Sequence, residues 1–141
     1  MYCLIKEVKM NLEILKLASD TKNNKNIANC THVANKKNPL CGDEMKITLT
    51  MKNDKIVDFG YECKSCIYCQ ASASILSKLS LNKSVKIIKD IIILADNFFI
   101  ENKFKFPKDW KKFEKLFNKE NLSRKECILL PFKTLKKALN E

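Results

Sequence analysis

"EMKITLTMKNDKIVDFGYEC", Glu44 to Cys63, decides the fold. Over Glu44–Met51 apolar and polar residues alternate, which puts Met45, Ile47, Leu49 and Met51 on one face and charged or hydroxyl residues on the other. "KNDK" (Lys52–Lys55) carries turn chemistry, and "IVDFGYEC" (Ile56–Cys63) returns as a second strand. A hairpin covered on one face is the signature of an antiparallel sheet backed by helices. The expected class is therefore α+β, a small antiparallel sheet of about three strands packed against helices.

Toward the N-terminus, "IANCTHVAN" (Ile27–Asn35) alternates loosely and supplies the third strand. Before it, "DTKNNKN" (Asp20–Asn26) is turn-forming, and "MNLEILKLAS" (Met10–Ser19) predicts a helix with Leu12 and Leu15 on its apolar stripe, joined by Ile14 and Leu17. Toward the C-terminus, "QASASILSKLSL" (Gln70–Leu81) opens a helix with small residues that suit a closely packed first turn. Ser84 is the N-cap of a helix running to about Glu101. Pro107 ends a basic aromatic connector, and Asp109–Asn118 reads as a short helix with Trp110, Phe113, Leu116 and Phe117 facing the core. The last helix spans roughly Lys125 to Asn140, with Pro131 either in its first turn or at a kink. There is no internal repeat and no long linker, so residues 1–141 are expected to form one domain, with residues 1–9 a loose extension.

The longest apolar run, "IIILADNFFI" (Ile91–Ile100), is interrupted by Asp96 and Asn97 and is too short to span a bilayer. The first residues lack the apolar stretch and small-residue cleavage site of a signal peptide, which makes the cytosol the default location and no membrane the expectation. Seven cysteines, an odd number in such a chain, argue against a disulfide framework and for metal or thiol chemistry. The net charge of +11 is almost wholly lysine, with Arg124 the only arginine. Three origins fit it: AT-rich coding composition first, then an acidic protein partner, then nucleic acid, which usually recruits arginine for bidentate contacts.

Three cysteines lie at ends of predicted elements, where backbone converges. Cys41 sits in "NPLCGD", between a stiffening Pro39 and a permissive Gly42, and Asp43 two residues on turns its carboxylate to the same side. Cys66 lies between the hairpin and the next helix, and Cys127 begins the final helix. Helix N-termini favour the thiolate, which is both metal ligand and nucleophile. Cys41, Asp43, Cys66 and Cys127 make a tetrahedral set for Zn2+ or one edge of an iron–sulfur cluster, with the oxygen the weaker, more labile ligand. Cys63 and Cys69 read first as small core residues, with spare ligands or a resolving thiol pair the alternative. Cys3 and Cys30 read as incidental, and His32 as a surface or packing residue.

The stretch "NPLCGDEMKITLTMKNDKIVDFGYECKSCIYCQASAS" resembles the U-type iron–sulfur cluster assembly scaffolds, the family of IscU, SufU and the NifU N-terminal domain. Cys41-Gly42-Asp43 match the first part of the family pattern and Ala71-Ser72-Ala73-Ser74 the last, which places its second cysteine at Cys66; "SRKECILLPFKTLKKAL" matches its third at Cys127. The resemblance runs from about Asn11 to Leu139. Sixty residues between Cys66 and Cys127, and Arg124 three before Cys127, are similar to the SufU-like branch; Glu126 replaces the histidine of the IscU branch, and the chaperone-recruiting stretch of that branch is missing. Cys63 and Ser65 stand where the family has glycines, and the segment after the first helix lacks its Asn-Pro-x-Asn stretch.

The resemblance implies an assembly protein that holds zinc, iron or a nascent [2Fe–2S] cluster on Cys41, Asp43, Cys66 and Cys127. It also implies a pyridoxal-phosphate cysteine desulfurase partner of the SufS type, persulfide acceptance on Cys41, and transfer onward to downstream assembly factors and apoproteins. It suggests a non-enzymatic scaffold or a zinc-dependent sulfur-transfer protein. The competing class is a zinc-stabilised binding module whose basic surface meets nucleic acid with steep salt dependence.

Overall fold

The computed structural model describes residues 12–39, 42–101 and 105–140. Helix α1 covers residues 12–18. A three-stranded meander follows: β1 (His32–Lys37), β2 (Glu44–Lys52) and β3 (Lys55–Lys64), all antiparallel in the order β1-β2-β3. Three longer helices complete the fold, α2 (Ile67–Leu79), α3 (Val85–Glu101) and α4 (Lys125–Leu139), with two 3-10 segments, Lys108–Lys115 and Lys119–Arg124, between α3 and α4. The expected α+β architecture is present. The extension expected over residues 1–9 lies outside the described residues.

The hairpin forms as the alternation dictates. Asn53 and Asp54 take φ of 54° and 62°, the pair of left-handed residues that matches the twist of two strands joined by a two-residue turn. Met45, Ile47 and Leu49 are buried on the inner face, and Met51 is partly buried beside them. On β3 the buried set is Ile56, Phe59 and Tyr61, which does not follow one period of two. A bulge explains it. Thr50 pairs with Asp58 but Met51 with Ile56, so Val57 is the extra residue that shifts the phase of the strand and stays exposed.

Helix α4 lies across β1 and β2 on the inner face, with α2 packed beside it and against β3. The outer face is crossed by the chain before β1. There Ile27 N–H donates to Thr48 Oγ1 (3.1 Å), and Gly60 leaves room for Lys25: a Cβ on it would come within 2.5 Å of the Lys25 carbonyl oxygen. A second apolar layer joins α3, the 3-10 segment and α4. Phe98, Phe106, Phe113, Phe117 and Phe132 stack or meet edge-on, with Phe117 centred 4.8 Å from Phe106 and 5.6 Å from Phe132. The Trp110, Phe113, Leu116 and Phe117 stripe is core-facing, as its spacing predicts.

Four expectations are corrected. In α1 the buried residues are Ile14 and Ala18, with Leu17 partly covered, whereas Leu12 and Leu15 are 60% and 49% exposed. Ile14, Leu17 and Ala18 share one side of the helix, Leu12 and Leu15 lie off it, and packing covers only the first. The first strand is shorter and later than Ile27–Asn35, because residues 27–31 are used to cover the outer face. The helix expected over Asp109–Asn118 is the tighter 3-10 form over Lys108–Lys115, short and entered from Pro107. In the fourth, one of two placements is excluded: Pro131 is not in the first turn but buried in the interior of α4. Ser84 caps α3 as expected, its Oγ accepting from Ile87 N–H at 3.4 Å.

Candidate metal centre

Three chain segments converge at one end of the sheet. The β1–β2 connection closes through Asn38 N–H to the Asp43 carbonyl (2.8 Å) and Gly42 N–H to the Asn38 carbonyl (2.8 Å). Gly42 adopts φ 76°, a left-handed geometry that costs an L-residue about 1 kcal/mol or more. That turn delivers Asp43 to the first position before β2, with its side chain turned inward: the residue is 8% exposed and Oδ2 is buried with no hydrogen-bond partner. A buried carboxylate oxygen without a donor is costly unless a cation meets it.

The second segment is the junction of β3 and α2. Cys66 is the N-cap of α2, with extended φ and ψ of −71° and 168° and no side-chain cap bond, so its thiol stays available. Gln70 N–H makes the first helical bond to the Cys66 carbonyl (3.1 Å), and Gln70 Nε2 donates to the Ser65 carbonyl (2.9 Å), fixing the corner. The third segment is the start of α4, where Cys127 is buried in the first turn. Cys66 and Cys127 thus both stand in or at the first turn of a helix, whose positive end suits thiolates and carboxylates.

Ligand atoms of Asp43, Cys66 and Cys127 all lie within 4.8 Å of one another. Cys41, the fourth expected ligand, lies outside the described residues, as does Cys3. Cys63 and Cys69 do not join the group: Cys69 is wholly buried and Cys63 packs partly buried against the core. Burial pushes both thiols up from the ordinary value. Cys30 is partly exposed, and His32 lies beside the Thr31 hydroxyl at 2.8 Å, far in role from any ligand set.

The helix N-terminus alone would lower the Cys127 thiol, yet it is pushed well above its ordinary value. Burial is the larger cause, followed by the hydrogen bond and charge of Cys66 and then those of Asp43. Buried beside two other acidic groups, the Cys127 thiol is disfavoured in its charged form. A divalent cation reverses that balance, deprotonating coordinating thiols outright. The donor set therefore fits Zn2+ or iron: soft sulfurs with one hard oxygen.

Residues beyond these three tie α2 to α4 and to the chain after α1. Ser72 is wholly buried in α2 and its Oγ donates to the Ile128 carbonyl at 2.7 Å, one residue beyond Cys127. Ser74 Oγ donates instead to the Asp20 carbonyl at 2.9 Å, tying α2 to the segment after α1. Pro131 brings no N–H to the hydrogen-bond ladder of α4. Arg124 lies over the Tyr68 ring, 5.3 Å from its centroid, and links the flanks of Cys66 and Cys127 by a cation–π contact. The Ala71–Ser74 run marks this region in the sequence, but nothing there distinguishes Ser72 from Ser74, and the Arg124–Tyr68 contact has no sequence signal.

Comparison with known proteins places the chain in a family. The NifU-like N terminal domain model matches residues 10–101. The chain is 29% identical over 136 residues to the iron–sulfur cluster assembly scaffold protein IscU of Thermotoga maritima, covering 91% of this chain and 90% of that one. It is 28% identical over 120 residues to the zinc-dependent sulfurtransferase SufU of Bacillus subtilis, covering 69% and 82%. Among solved structures, the putative SUF-system scaffold of Fervidobacterium islandicum superposes with a TM-score of 0.79 at 29% identity, covering 89% and 93%. The NifU-like N-terminal protein of Brucella abortus shares the fold, with a TM-score of 0.80 at 22% identity over 90% and 89%. The chain belongs to the NifU-like N-terminal domain family, that of the U-type iron–sulfur cluster assembly scaffolds.

Proposed function

We propose that this chain is an iron–sulfur cluster assembly protein that holds a metal through Cys41, Asp43, Cys66 and Cys127 and accepts sulfur from a cysteine desulfurase. The observation that carries the reading is the convergence of Asp43, Cys66 and Cys127 within 4.8 Å, with an unpartnered carboxylate oxygen among them. Names of the relatives support both halves of it, one a scaffold and one a zinc-dependent sulfurtransferase. A single domain over residues 1–141 is part of this proposal.

When bound, a Zn2+ ion or a nascent [2Fe–2S] cluster supplies the positive charge that keeps these thiols ionised. The protein supplies the rest. Buried walls at Cys127 exclude water, the α2 and α4 N-termini offer positive ends, and Ser72 holds the two helices together. Cys41 is the proposed acceptor. Its thiolate attacks the outer sulfur of the desulfurase persulfide; the new S–S bond forms on Cys41 as the old one breaks, and the desulfurase thiolate leaves. No electrons are gained or lost overall, since one persulfide replaces another.

The partner is accordingly a pyridoxal-phosphate cysteine desulfurase of the SufS type, with downstream assembly factors and apoproteins as recipients. Among the described residues no helix is long and apolar enough to cross a membrane. The test is incubation with a desulfurase and cysteine, followed by mass-spectrometric mapping of persulfide. Stimulated turnover with persulfide on Cys41 supports sulfur acceptance; no stimulation and an unmodified Cys41 would remove it and leave scaffolding alone.

A further inference from the structure

The lysine excess is not absorbed by the metal centre, and part of it is gathered in one place. A cleft of about 620 Å³ lies between the end of α3, the edge of β1 and the outer face of α4. Lys125, Lys133, Lys136 and Lys137 of α4 and Lys36 of β1 line its rims. Among the described residues only two carboxylates line it, Asp96 and Glu126, and Glu126 is already paired with Lys133 Nζ at 3.1 Å. Lys36, Lys125 and Lys136 have no ion pair among the described residues.

The floor is different in kind. Phe99, Ile100 and Leu129 form it, and Ile100 is 80% exposed, an unusual place for so large an apolar side chain. Lys125, Leu129, Lys133 and Lys136 recur every three to four residues, so the cleft follows one stripe of α4 for about 16 Å, close to three helical turns. Its N-terminal end is at Lys125 and Glu126, while Cys127 faces the buried side of the same helix.

We propose that this cleft docks an acidic amphipathic helix of a partner protein. Apolar side chains of such a helix cover Phe99 and Ile100 while its carboxylates meet the flanking lysines, the helix-in-groove arrangement. Charge complementarity gives orientation and a fast encounter, and the apolar floor gives retention. A nucleic-acid backbone would satisfy the lysines but leave the floor wet, and the cleft holds no arginine for base readout. Docking there does not depend on which metal the centre carries.

Fluorescence anisotropy tests it with a labelled peptide of about 15 residues, leucine on one helical face and glutamate on the other. An all-glutamate peptide and a single-stranded DNA oligonucleotide of equal charge are the comparators. The amphipathic peptide is expected to bind about tenfold tighter than either, and both Ile100→Asp and the pair Lys125→Glu/Lys136→Glu to weaken it about tenfold. The pair Lys52→Glu/Lys111→Glu, equal in charge but outside the cleft, is expected to change it less than about threefold. Absence of peptide binding, equal affinity for the all-glutamate peptide, tighter binding of the oligonucleotide, or equal loss in the distant pair would overturn the proposal. All the substituted side chains are exposed, and thermal unfolding of each variant checks that the fold is kept.

Discussion

Replacing Ser72 by alanine separates the stability of the fold from the geometry of the metal centre. The hydroxyl is wholly buried and donates at 2.7 Å to the Ile128 carbonyl, so its loss removes one hydrogen bond and leaves that acceptor short of a partner. Such a deletion costs about 1–2 kcal/mol. Alanine returns about 0.5 kcal/mol through its better helix propensity. The net loss is about 1 kcal/mol, or about 3 °C in Tm for a chain of this size. Ser74→Ala loses a comparable bond to the Asp20 carbonyl and should cost a similar amount. The two differ in what they connect. Ser72 joins the helix that begins at Cys66 to the helix that carries Cys127, whereas Ser74 points away from both. Zinc affinity by chelator competition should fall about tenfold in Ser72→Ala, in the range of lost supporting hydrogen bonds around metal ligands. In Ser74→Ala it should stay unchanged. Equal affinities in the two variants would refute the positioning role of Ser72, and no Tm loss in Ser72→Ala would refute the hydrogen bond itself.

Two further outcomes follow from the fold. Gly60→Ala would drive a Cβ to 2.5 Å from the Lys25 carbonyl oxygen and 2.9 Å from Thr48 Oγ1, and should cost about 2–3 kcal/mol in urea unfolding without altering the ligands. The second concerns pH. Burial is the main reason the Cys69 thiol is pushed up in the fold, with Ser65 opposing and Cys63, Asp43 and Cys66 adding to it. The native state therefore holds that proton more tightly than the unfolded chain, so its contribution is intact below the ordinary thiol value of 9.0 and is lost as pH rises above it. Apo-protein stability should decline above about pH 9, and Cys69→Ala should shallow the decline by up to about 1.4 kcal/mol per pH unit. An unchanged slope would show that Cys69 ionises freely in the native state.

The hairpin and its covered face are legible in the sequence because alternation over Glu44–Met51 has one physical solution, a half-buried strand. The bulge at Val57 is not, since a one-residue slip leaves no trace in composition and is fixed only by pairing with β2. Leucines at 12 and 15 point the wrong way for α1, because residues 12–18 offer two apolar stripes and only tertiary packing chooses between them. At the site, residue type and position at element ends single out Asp43, Cys66 and Cys127, and the fold brings those three together. Their protonation is harder to foresee. A helix N-terminus argues for thiolates, but burial of Cys127 beside Cys66 and Asp43 wins there, and that depends on distances no sequence states. Cys63 and Cys69, the two extra thiols of the C-x2-C-x2-C run, are explained by packing against the core.

The most direct test of the metal centre is the content of the freshly isolated protein. Purified without oxygen, it should carry about one Zn2+ or one iron–sulfur cluster per chain, measured as zinc, iron and acid-labile sulfide. Asp43→Ala, Cys66→Ser and Cys127→Ser should each lose most of it while circular dichroism still reports the α+β fold. Full metal content in all three variants would contradict the assignment of Asp43, Cys66 and Cys127 as its ligands.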